Sequence, residues 1–188
     1  MATRRSSQNV LPLVILLIVV IAAIIYFLRK TPSSEPGNAF SLSERAGPPD
    51  IYPIAAINPG ATNPEITQDN IGETICNPHW STRSIRPREE YTNHLKHEQM
   101  SEYGDKDTNP RDYEEDHIIP LELGGNPTDP QNLWPEPYDT SIADGGAKYK
   151  DKVENYLHDE VCAGRIPLAQ AQQQIAVDWY RVYTTHIR

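Results

Sequence analysis

Apolar and polar positions follow three regimes along the chain. From Val10 to Leu28 the residues are almost all apolar and none is charged. At about 1.5 Å per residue such a helix covers the roughly 30 Å of hydrocarbon in a bilayer. The run therefore predicts a transmembrane anchor over 10–28, with 1–9 as a polar tail. A cleavable signal peptide is the rival reading. Its apolar region usually runs about 7–15 residues before a small-x-small site, whereas here Tyr26-Phe27-Leu28-Arg29-Lys30 follows. From 31 to 70 no period is sustained. Pro32, Pro36, Pro48, Pro49, Pro53, Pro59 and Pro64 favour extended backbone, and a segment with so little to bury reads as a Pro-rich linker.

Beyond residue 70 the periods appear. Tyr91, Leu95 and Met100, ended by Gly104, predict a helix over about 89–103. The sheet elements are expected near Tyr113–Ile119 and Asn132–Trp134. Tyr149, Val153, Tyr156, Leu157 and Val161 share one helical face, which predicts a helix over 147–162 with Gly164 past its end. Pro167 then suits the first turn of a last helix striped by Leu168, Ala171, Ile175, Trp179 and Val182. Residues 71–188 are thus expected to form a small, helix-rich α+β domain, preceded by one transmembrane helix and the linker.

Charge and cysteines change the picture in two ways. All 26 acidic residues lie beyond Lys30, together with 13 of the 17 basic ones. So acidic a body repels polyanions, and any contact with nucleic acid must be local. The cysteines number two, Cys76 and Cys162, without the spacing of a zinc knuckle. They read as one disulfide in an oxidising compartment, or else as two buried thiols. Arg4 and Arg5 nearly balance Arg29 and Lys30 across the apolar run. With the cysteines breaking the tie, the expectation is a single-pass protein with its N-terminus cytoplasmic and its domain outside.

The chemistry is concentrated in Asp116-His117-Ile118-Ile119-Pro120-Leu121-Glu122-Leu123-Gly124-Gly125, closed by Asn132-Leu133-Trp134-Pro135. An acid beside an imidazole at a strand end offers an oxygen ligand for a hard cation and a base titrating near neutrality. Strand, Gly-Gly turn, strand and helix make a ββα unit. This stretch resembles the HNH, or ββα-metal, endonuclease family. The resemblance extends to Cys76, to Tyr91-Thr92-Asn93 through Gln99-Met100, to Lys150-Asp151 through Glu154, and to Val161-Cys162-Ala163-Gly164, covering about residues 74–184.

It implies that His117 is the general base and that Asp116 binds one divalent cation, Mg2+ or Mn2+, with Zn2+ an alternative. Asn132 would act through hydrogen bonds to the loop presenting His117. The third site residue departs from the pattern, because Ser141 stands where the family has His or Asn. The next candidates are on the following helix, where Asp151, Glu154 and His158 share a face. Glu154 and His158 are the expected ligands; the alternative is an ordinary solvated face with Lys150 and Glu154 as an i,i+4 pair. Arg83, Arg86, Arg88 and Lys96 would meet phosphates, or belong to a mixed-charge surface. The function expected is a membrane-anchored, metal-dependent endonuclease cutting DNA, with RNA an alternative substrate and no protein partner indicated. The other reading is a membrane-tethered HNH-fold module that binds without turnover.

Overall fold

The computed structural model describes residues 45–104 and 106–188. Helix α1 (Glu89–Tyr103) precedes a hairpin of strands β1 (Tyr113–His117) and β2 (Leu133–Pro137), and helices α2 (Ala147–Cys162) and α3 (Leu168–His186) follow. The three helices lie where the apolar periods place them. The strands pair antiparallel, with Tyr113 opposite Pro137 and His117 opposite Leu133. Between them come 3-10 turns at Leu121–Leu123 and Pro130–Asn132. Gly124 has φ of 72°, which only glycine adopts without strain, and a Cβ on Gly125 would strike the Ile119 carbonyl. The Gly-Gly turn is therefore a steric requirement.

The apolar stripes of α2 and α3 meet. Val153, Leu157 and Val161 are buried against a core that includes Leu168, Ala171, Ile175, Trp179 and Val182. Helix α3 is broken at Asp178, whose backbone (φ −156°, ψ 66°) is not helical. Its carboxylate accepts hydrogen bonds from the Tyr52 hydroxyl at 2.6 Å and the Ala46 amide at 3.0 Å, and pairs with Arg181 at 2.9 Å. The break thus serves the segment that precedes α1.

That segment corrects the linker expectation. Residues 45–70 belong to the folded unit, while 31–44 lie outside the described residues. Ile51, Tyr52 and Ile66 are buried in the main core, and the Trp179 indole donates to the Ile51 carbonyl at 2.9 Å. Thr62 bridges Gly125. Its apolar residues pack one at a time from turns and extended backbone, which leaves no period to read.

The membrane component of the expected fold is corrected too. The run 10–28 lies outside the described residues, and among the described residues no helix is long and apolar enough to cross a membrane. Each described helix buries one stripe and turns charged or amide side chains outward, such as Lys152 on α2 and Gln170 on α3. The single-pass, extracytoplasmic placement is withdrawn with it. What stands is an α+β fold of three helices and a two-stranded sheet.

Candidate functional site

Asn132 ends the 3-10 turn just before β2 and is fully buried. Its carboxamide accepts from the amides of Ile119 at 3.0 Å and Ala61 at 3.1 Å, and donates to the carbonyls of Ile119 at 3.0 Å and Asn126 at 2.9 Å. One side chain so satisfies four backbone groups that the turn cannot pair for itself. The loop it fixes presents His117, the last residue of β1. The His117 ring is nearly buried, with Nε2 3.1 Å from the Pro127 carbonyl. A carbonyl only accepts, so Nε2 carries the proton and Nδ1 the lone pair. Burial lowers the pKa of the ring, against the pull of Asp116.

Asp116 and His117 diverge as strand neighbours must. The carboxylate turns toward α2, where it meets Lys150. The Lys150 ammonium lies 2.5 Å from Asp116 Oδ2, 2.5 Å from Glu154 Oε1 and 2.9 Å from the His117 carbonyl, with Glu136 Oε2 at 3.6 Å. Lys150 is only 2% exposed and Glu136 1%. Burial opposes ionisation of Asp116, but the Lys150 ammonium outweighs it and holds the carboxyl down at about 2. Burial pushes Glu154 up to about 8 and Glu136 well above the usual carboxylate range, in spite of Lys150. Both Glu136 carboxyl oxygens are buried without a hydrogen-bond partner among the described residues, so burial favours the protonated form. Burial lowers the Lys150 pKa, but three carboxyls raise it well above the usual lysine value. One ionised acid and one ammonium therefore balance, with two protonated acids beside them.

His158 is elsewhere. Its Nε2 is 2.9 Å from the Ile75 carbonyl and 3.4 Å from Cys162 Sγ. Cys76 and Cys162 are joined in a disulfide with Cα atoms 5.3 Å apart. Among the described residues, the donors grouped within 4.8 Å of one another are Cys76, His158 and Cys162. Their sulfurs are bonded to each other, and a disulfide lacks the thiolate that a metal needs. The shell expected from Asp116, Glu154 and His158 is thus not assembled. Two of the three face an ammonium, the third faces the disulfide, and a divalent cation does not fit among them. Ser141 takes no part either; its amide and hydroxyl bind the Asp50 carboxylate at 2.7 and 2.8 Å.

The basic residues also separate. Exposed Arg86 is the one whose charge reaches the site, acting on both His117 and Asp151. Lys96 donates to the Tyr113 carbonyl at 3.0 Å and offsets Glu115, which burial raises to about 8. Arg83 and Arg88 are exposed at the turn and helix start before α1. Glu114 and Asp151 line the same charged region, both raised chiefly by burial.

The sequence reading missed Glu136 and gave Lys150 no central place. The signals were there. Glu136 follows Trp134 by two, on the strand face that the register shares with Asp116. Lys150 precedes Glu154 by one turn, and precedes Val153 of the buried stripe by three. A search of protein-family models, curated proteins and solved structures finds no match to this chain.

Proposed function

We propose that this chain is a nucleic-acid phosphodiesterase of the HNH type in which His117 is the general base. The observation that supports it is the mounting of the imidazole. Nε2 is tied to the Pro127 carbonyl within a loop that Asn132 pins, and no described protein group hydrogen-bonds Nδ1. The lowered pKa keeps the ring neutral and able to accept at neutral pH. In this reading Nδ1 takes a proton from water as the water oxygen bonds phosphorus, the P–O bond to the leaving oxygen breaks, and that oxygen takes up a proton from solvent. Arg86 meets the phosphate, giving the local positive charge that an acidic body otherwise lacks. Asp116 acts indirectly, by holding Lys150 against the His117 carbonyl. No step is assigned to a divalent cation, because the expected ligands do not form its shell.

The filled position at Lys150 favours a second reading, a nucleic-acid-binding module on the same scaffold without turnover. Nicking of supercoiled plasmid by the full chain, in EDTA and with added Mg2+ or Mn2+, separates the two. The first reading requires nicking that His117→Ala lowers by about 10²–10⁴, with Arg86→Ala weakening substrate binding. A folded wild-type chain that binds the plasmid and nicks it under none of these conditions rejects the first reading and leaves the second.

A further inference from the structure

The contact shell of Lys150 has the ligand types of a hard-cation site: two carboxyl oxygens, from Asp116 and Glu154, a backbone carbonyl and a third carboxyl slightly farther out. Its elements come from three separate places in the chain, β1, β2 and α2. Each ammonium proton has an acceptor within 2.9 Å, so the group is fully bonded. A divalent ion binds oxygen at about 2.0–2.6 Å, which would place it on top of the nitrogen. It could enter only after the ammonium left a nearly solvent-free position.

We infer that Lys150 is a built-in counter-ion occupying the cation position between Asp116, Glu136 and Glu154, so that this chain fixes Asp116 and the His117 carbonyl without a metal and acquires a divalent-ion site only when the ammonium is removed. Lys150 is then a positioning residue. It is buried and bonded on all sides, and it touches no reacting atom. The inference stands on geometry and holds whether or not the chain cleaves phosphodiesters.

The test is Mn2+ binding by the full, disulfide-bonded chain, read by calorimetry and by the electron-spin resonance of free Mn2+. The wild type is expected to show no Mn2+ binding that Asp116→Asn abolishes. Lys150→Met keeps most of the aliphatic stem and removes the charge. It is expected to bind one Mn2+ per chain, and adding Glu154→Gln should weaken that binding by about tenfold or more. Circular dichroism and a cooperative melt establish that the variant is folded. A wild-type Mn2+ site lost in Asp116→Asn overturns the inference, and this arm decides even if every Lys150 variant unfolds. A folded Lys150→Met chain that binds no Mn2+ overturns it as well, since the ammonium would not then be what keeps the ion out.

Discussion

Glu154 and His158 stand one turn apart on the same face of α2, yet they serve different parts of the molecule. Glu154 meets Lys150 and, through it, the hairpin. His158 meets Ile75 and the Cys76–Cys162 bridge. Four residues advance a helix by about 6 Å along its axis, and over that distance the neighbour changes from β1 to the chain before α1. A helical wheel discards the axial coordinate, so it groups residues that never share a ligand. The two ends of α2 also use different physics. One is tied to the fold by buried charge, the other by a covalent bond.

The largest expected effect is at the covalent end. The disulfide links residues separated by 86 positions. Loop-closure entropy puts its contribution at about 4–5 kcal/mol. Cys76→Ser should lower the unfolding free energy in urea by nearly that amount; a loss under about 1 kcal/mol would mean that the ion cluster and the α2–α3 core hold this end unaided.

The charged end should respond unequally to its two strand acids. Asp116→Ala strands a buried ammonium and is expected to cost about 3–5 kcal/mol. Glu136 already carries a proton, so Glu136→Gln should cost only about 1 kcal/mol. Equal losses from the two changes would contradict the placement of the single negative charge on Asp116.

Titration tests the same cluster without mutation. The folded pKa values of Glu154 and Glu115, about 8, lie above those of an unfolded carboxylate. The stability they contribute is complete below about pH 4 and is lost as the pH rises through about 8. Asp116, held near 2, acts oppositely and loses its contribution only as the pH falls toward that value. The melting temperature should therefore decline between about pH 5 and 9, and Glu154→Gln should flatten the decline. A melting temperature that rises across this range would refute the assignment of protons.

His158→Ala should have the smallest effect, about 1 kcal/mol for one partly exposed hydrogen bond to the Ile75 carbonyl. Mn2+ affinity in the Lys150→Met chain should be unchanged by it, because His158 belongs to the other end of the helix. A marked fall in that affinity would return His158 to the cation position.

By itself the sequence determined the elements that repeat. Periods of 3.6 placed α1, α2 and α3, and the Asp116-His117, Gly124-Gly125 and Asn132 spacing placed the hairpin and its turn, because such patterns are local consequences of backbone geometry. The carboxamide of Asn132 hydrogen-bonds backbone groups of Ile119 and Asn126, which lie in the same loop. Only the tertiary structure decided the rest. Residues 45–70 lack a period because their buried residues stand on turns and extended backbone, and the core that receives them is supplied largely by α2 and α3. Lys150 reads as a surface lysine until β1 and β2 bring Asp116 and Glu136 to it. Burial then reverses the usual order of ionisation, keeping the charge on the lysine and one aspartate and removing it from two glutamates. Desolvation depends on what packs around a group in three dimensions, and no spacing along the chain encodes that.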